Sequence, residues 1–144
     1  MAAAEADSLT LEVATPVGLA LRTEASAVQV WSVNGEFGVL PGHLPLLAAL
    51  RAGPIKYIKE GKEHFAAIGG GFVEVEPDRV LVLTDVFASP ESIKVEAVRE
   101  ELEEAEEALA AFPNVYEGPE FEELNRTKNW AVARLLVAEI RDKI

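Results

Sequence analysis

The chain has 144 residues and a formal charge of −12, with 13 Lys and Arg against 25 Asp and Glu, two histidines and no cysteine. That length suits one domain, or one domain with a short appendage, and an apolar share of 49% supports a packed core. The acidic balance repels polyphosphate backbones and excludes nucleic acid as an expected partner. The missing cysteine rules out disulfides and thiol chemistry, which fits a reducing compartment.

The start, MAAAEAD, has neither a basic nor an apolar segment and does not read as a signal peptide. Next, Leu9, Leu11 and Val13 alternate with polar neighbours. Val28 and Val30 do the same, as do Phe72, Val73 and Val75, and then Val80, Val82 and Thr84. The punctuation is Thr15-Pro16, Asn34-Gly35, Pro41-Gly42, Gly53-Pro54, Glu60-Gly61, Gly69-Gly70-Gly71 and Pro77-Asp78. Turn signals roughly every 8–12 residues between short strands predict a β-sandwich or barrel. The triple glycine lies between strands and opens no helix, so it is expected to mark a bulge or a close backbone approach. The longest apolar stretch, Leu44 to Leu50, falls short of the ~20 residues that span a bilayer. A soluble chain that meets a membrane only through partners is expected.

The period changes at Ser89-Pro90. Val95, Val98, Leu102, Ala105, Leu109 and Phe112 are spaced 3,4,3,4,3, one apolar seam of a helix that Ser89 or Ser92 caps and Pro113-Asn114 stops. A second helix follows from about Glu120, with Phe121, Leu124, Ala131, Leu135 and Ala138 as its seam. A short connection makes the two antiparallel neighbours. Residues 91–107 hold eight acids and two bases, and residues 126–144 hold two acids and five bases. This segregation predicts mutual attraction of the two helices. The second helix carries surplus apolar surface: Trp130, Val137 and Ile144 recur every seven residues, and Val132, Leu136 and Ile140 every four. Two readings stand: these residues pack on the β region, or they dock on another protein. The expected organisation is residues 1–89 as a β domain and 90–144 as a helical hairpin.

Little in the chain points to catalysis. There is no GxxxxGK[ST], HExxH or GxSxG pattern. His43 and His64 fall in separate elements, and Ser32, His43 and Asp85 make a triad only on paper. Glu74 and Glu76 share one strand face, which reads as solvated. His43, inside the run GEFGVLPGHLPLLAAL over 35–50, reads as a structural histidine.

NGEFGVLPGHLPLLAALRAGP over 34–54 and FAAIGGGFVEVEPDRVLVLTD over 65–85, followed by an acidic helix and a second helix, resemble the epsilon subunit of bacterial F-type ATP synthase, whose mitochondrial counterpart is called delta. The resemblance runs from Leu9 over nearly the whole chain. It implies a ten-stranded β-sandwich followed by a two-helix hairpin, in a non-catalytic rotor subunit at the cytoplasmic face of the bacterial inner membrane. The implied partners are gamma and the ring of c subunits. Glu36 matches a position near the polar loops of the c ring and His43 one near gamma, with Phe37, Val39 and Leu40 as expected apolar contacts. No cofactor is implied. The hairpin, when extended, would restrain ATP hydrolysis by entering the alpha/beta hexamer through Arg126, Lys128, Trp130, Arg134, Val137 and Arg141. When folded down, the expected state of the isolated chain, it would be held by its seams. Glu-rich helix one would then face Arg126, Lys128, Arg134, Arg141 and Lys143. Lys128 falls on the second helix's seam, and the alanines at 105, 131 and 138 are expected to leave that seam thin. Some members of the family bind ATP through a motif I-D-x-x-R-A. The matching stretch here is Ile93 to Val98, with Lys94 in place of the Asp and Ala97 in place of the Arg, so weak or absent nucleotide binding is expected. The competing reading is a free-standing β-sandwich binding module with a helical recognition hairpin. A two-histidine metal hydrolase ranks third.

Overall fold

The computed structural model describes residues 8–112 and 117–143. The MAAAEAD start, the expected helix stop at Pro113-Asn114 and the last seam residue, Ile144, lie outside the described residues. In chain order the elements are β1 (Leu9–Thr15), β2 (Gly18–Ala25), β3 (Ala27–Ser32), β4 (Gly35–Val39), β5 (Leu46–Lys59), β6 (Lys62–Glu76), β7 (Arg79–Thr84) and β8 (Phe87–Ala88). A 3-10 turn (Pro90–Ser92), helix α1 (Val95–Ala110) and helix α2 (Pro119–Lys143) follow.

The strands pair in the order β2-β1-β7-β6-β5-β3-β4, with β8 on β6. Every pairing is antiparallel except β1 with β7, which is parallel. The sandwich therefore has eight strands among the described residues rather than the ten expected. The physical reason is the length of β5 and β6, 14 and 15 residues. They keep one register from Leu46↔Val75 to Lys59↔Lys62 and pass through both layers. Each does the work of two short strands. The bend lies at Gly70 and Gly71, whose φ angles of 100° and 135° suit glycine alone. A Cβ on Gly71 would also strike the Leu83 carbonyl. The close backbone approach expected of the triple glycine is there, while the register slips fall elsewhere, between β1 and β2 at Val13 and Ala14 and between β3 and β5, where Gln29↔Lys56 gives way to Ser32↔Leu50.

Alternation sets the core. Leu9, Leu11, Val13, Val28, Val30, Val39, Ile55, Ile68, Val73, Val75, Val80 and Val82 form one cluster and are essentially sealed from water. Each such side chain contributes about 1.5–3 kcal/mol on burial.

The α1 seam falls where its spacing predicts: Val98 and Ala105 are buried, and Val95, Leu102, Leu109 and Phe112 are half-buried. The cap differs. Lys94 occupies the cap position without a side-chain bond, and the Ser92 hydroxyl donates to the Ser89 carbonyl at 2.8 Å, inside the preceding turn. Helix α2 folds back along α1 and lies on the outward face of the second half of β5 and the first half of β6. Ala67, Ile93, Val98, Ala131, Ala133, Val137 and Ala138 form a second core, joined by Ala52, Phe65, Trp130 and Leu135. Of the surplus apolar surface of α2, Trp130 and Val137 pack on the sandwich, whereas Val132 stays exposed; the hairpin is in the folded-down state. The alanines expected to thin the seam are its closest contacts: Ala105, Ala131 and Ala138 are 3%, 0% and 1% exposed. Small side chains on both surfaces let helix and sheet approach and recover dispersion contacts.

The charge segregation is not realised as a row of interhelical pairs. Among the described residues Arg134 alone crosses, reaching Glu101 at 2.7 Å. Arg126 pairs with Glu123 and Lys143 with Glu139, both within α2. Arg141 pairs with Asp142, and Lys128 is half-buried without an ion pair. Neighbours three or four residues apart on one helix meet at no extra entropic cost, so they win over partners on the other helix.

Candidate functional site

One outer face of the sandwich is covered by α2 and the other is open. On the open face, register sets Leu19, Ala14, Leu83, Phe72 and Ala49 side by side across five strands. Leu19, Leu83 and Phe72 are 56%, 48% and 54% exposed, a contiguous apolar row on a rigid sheet. The next row is mixed, with Arg22, Glu12 and Glu74 beside Leu81 and Leu47. Glu12 accepts from Arg79 at 2.9 Å and lies 3.8 Å from Arg22, and Arg79 also reaches Glu76. An apolar strip with a charged rim is the layout of a protein-docking surface.

The strip continues around one end of the sandwich. Val33, Leu40, Leu44 and Leu47 are 60%, 62%, 80% and 69% exposed. The loop that carries Leu40 and Leu44 is pinned, because the Gly42 N–H donates to the Pro77 carbonyl at 2.7 Å and the His43 N–H to the Leu40 carbonyl at 3.1 Å. The His43 ring contacts the Leu44 carbonyl through Nδ1 at 2.7 Å.

The expected contact residues divide. Glu36 is exposed on the outward side of β4, opposite Trp31. Phe37 is half-buried against the core, and Val39 is 0% exposed. Strand parity explains this: Phe37 pairs with Val30 and Val39 with Val28, all four facing inward. Val39 is therefore unavailable as an apolar contact. Leu40, one residue on, faces out, and Leu44, Leu47 and Phe72 join it. Leu40 was among the expected contacts; for Phe72 the sequence signal was the parity of β6 counted from Val73 and Val75, while Leu44 lies in a loop outside any strand period.

The covered face is held at three points. Trp130 lies over β6, 3.9 Å from where a Gly69 Cβ would sit. The Arg134 guanidinium is 4.9 Å above the Trp130 ring, and Val137 is sealed beneath. Arg141 donates through Nη1 to the carbonyls of Pro90 at 2.7 Å and Ile93 at 2.9 Å. Beside α1 a cavity of about 320 Å³ is lined by Lys94, Ala97, Glu101, Trp130 and Arg134. Lys94 and Ala97 both face solvent there, and Glu101 already engages the one guanidinium.

A second cavity of about 460 Å³ lies where the end of α2 meets Tyr57, His64, Phe65 and Glu91. Tyr57 and His64 stack with ring centroids 5.2 Å apart. Burial, and secondarily the Glu91 carboxylate, pushes the Tyr57 phenol above its ordinary range. His64 is paired near the far end of β5, whereas His43 precedes its start, so the two cannot share a metal. Among the described residues no group of three His, Asp or Glu is placed to hold one, and no helix is long and apolar enough to cross a membrane.

The fold and its surfaces define a docking protein: one sandwich face open for partners, the other closed by the chain's own hairpin. Residues 8–90 match the family model for the ATP synthase, Delta/Epsilon chain, beta-sandwich domain. The ATP synthase epsilon chain of Anaeromyxobacter dehalogenans is 36% identical over 131 residues, 91% of this chain and 98% of that protein. That of Shouchella clausii is 41% identical over 104 residues, 72% of this chain and 78% of that protein. A chain in the Euglena gracilis mitochondrial ATP synthase (OSCP/F1/c-ring) has the same fold, with a TM-score of 0.75 over 92% of this chain and 81% of that one, at 24% identity. A chain in the Tetrahymena thermophila central stalk and c-ring superposes with a TM-score of 0.59 over 90% of this chain and 96% of that one, at 12% identity. The chain belongs to the ATP synthase delta/epsilon family, as an epsilon-type, non-catalytic subunit. That membership replaces the free-standing module and the metal hydrolase.

Proposed function

We propose that the chain is a central-stalk rotor subunit of a bacterial proton-translocating F-type ATP synthase, coupling the c ring to gamma. In this reading residues 1–89 dock on the rotor and residues 90–144 regulate it. The observation that carries the reading is the open face, where Leu19, Leu83 and Phe72 present apolar surface on a sheet that cannot bend independently of its core. Torque transmission needs a stiff part clamped on two others, and a sandwich with two through-running strands supplies one. Gamma covers the apolar row and the neighbourhood of His43, while Glu36 meets the polar loops of the c ring. The complex lies at the cytoplasmic face of the inner membrane, and the chain is held there through partners.

The folded-down hairpin is the permissive state in this reading. Released, α2 would present Arg126, Lys128, Trp130, Arg134, Val137 and Arg141 to acidic segments of the alpha/beta hexamer and restrain hydrolysis. The test is affinity capture of the tagged chain from detergent-solubilised membranes. Gamma and c subunits should be recovered with it, and recovery of neither would reject the assignment.

A further inference from the structure

We propose that Arg141 is the latch that holds the hairpin on the sandwich, through its two hydrogen bonds to the Pro90 and Ile93 carbonyls. This rests on the reading of the C-terminal hairpin as a movable regulatory element, its two helices moving beyond Ile93 while the turn at Pro90–Ser92 stays packed on β6. Among the described residues the other ion pairs of α2 stay within α2 or join it to α1, and Arg126 feels the Asp85 carboxylate of the sandwich without a direct ion pair to it. The Arg141 contacts fix α2 on the sandwich, because the turn that carries both carbonyls packs on β6, with Ile93 buried beside Ala67, and so belongs with the sheet when the helices depart. Asp142 orients the group: it accepts from Nε at 2.8 Å and from Nη2 at 3.3 Å, which leaves Nη1 aimed at the turn. A lysine lacks this planar fork.

Packing makes the contact decisive at that end. Along Ala131 to Ala138 the helix is sealed against the sheet. Near Arg141 a cavity of about 460 Å³ opens beside the end of α2, lined by Ile140, Arg141, Tyr57, His64 and Glu91. The end of α2 is thus held by polar contacts beside a gap rather than by interdigitated side chains. Such contacts are directional and are lost together, which suits a switch point.

The chain has no cysteine, so spin labels at Lys62→Cys and Asn129→Cys, both exposed, report the hairpin position in the isolated full chain. Pulsed electron spin resonance should give one distance distribution for the parent. Arg141→Gln should raise the longer-distance population about tenfold. Arg141→Lys should restore the parent only in part, and Asp142→Asn should shift it the same way as Arg141→Gln but less. An unchanged distribution for Arg141→Gln would overturn the latch, as would full restoration by lysine. Amide exchange of β1 and β7 should stay at parental levels in every variant. Its loss would show that Arg141 supports the whole fold and would also overturn the proposal. These readouts need no partner, so their failure leaves the stalk assignment standing, and failed capture from membranes leaves the latch standing.

Discussion

Arg134 of α2 holds Glu101 of α1 at 2.7 Å while its guanidinium lies 4.9 Å over the Trp130 ring. The Arg134 side chain is 14% exposed and that of Glu101 50%, so the pair is screened unequally. Replacing Arg134 by Ala removes the pair, the ring contact and the packed stem, and should cost about 1–2 kcal/mol in chemical denaturation. Glu101→Gln should cost under about 0.5 kcal/mol, and a double-mutant cycle should return a coupling below about 1 kcal/mol. A larger coupling would mean that electrostatics rather than the seam holds the hairpin together.

Phe72 and Leu83 face each other on the open face, where polar replacements do not reach the core. Phe72→Asp with Leu83→Lys should shift the stability of the isolated chain by no more than about 0.5–1 kcal/mol. The same pair should abolish copurification with gamma. Glu36→Lys should weaken assembly more mildly and in a salt-dependent way. Phe37→Asp is a poor probe of docking, because Phe37 packs on the core and its replacement should destabilise the fold itself.

Deleting residues 114–144 removes the covering of Phe65, Ala67 and Val98 but leaves the first core intact. Assembly and ATP synthesis should persist while membrane ATPase activity rises several-fold. Unchanged hydrolysis, with the truncated subunit shown to be present, would remove the regulatory role.

The cavity beside α1 offers a nucleotide one engaged guanidinium, one exposed lysine and the Glu101 carboxylate. Glu101 offsets Arg134, and the acidic outer face of α1 opposes a triphosphate. Calorimetric titration with ATP should show no binding in the micromolar range. Micromolar heats would mean that Lys94 and Arg134 together replace the missing motif.

Tyr57 provides a pH test. Its phenol is raised above 10.0 by burial first and Glu91 second. The neutral form is favoured in the folded chain, so this contribution to stability is fully present below pH 10.0 and is lost as pH rises through the folded pKa. Phenolate absorbance in a Tyr116→Phe background should titrate later than free tyrosine. Glu91→Gln should move it back only part of the way, because burial is the larger cause.

The strand parity of β1, β3 and β7 and the 3,4 seam of α1 were legible in the residues, because each depends on neighbours within one element. Leu11, Val30, Val82, Val98 and Ala105 are buried as those periods require. Docking on β6 was one of two open readings for Trp130 and Val137, since surplus apolar surface on α2 has no address in its own sequence. Which acids meet which bases was not legible either. Composition says that α1 is acidic and the end of α2 basic, but rotation about each helix axis left Arg134–Glu101 as the one crossing pair among the described residues.

The sequence by itself therefore determined the periods, the core valines, the place of the β-to-α change and the family pattern around residues 34–54 and 65–85. Only the tertiary structure decided that β5 and β6 run unbroken through both layers, that Val39 faces in while Leu40 faces out, and that Arg141 closes on Pro90 and Ile93. The division has one physical cause. Local periodicity is set by backbone geometry within a few residues, whereas register, helix rotation and the partners of a long side chain are set by contacts between segments far apart in the chain.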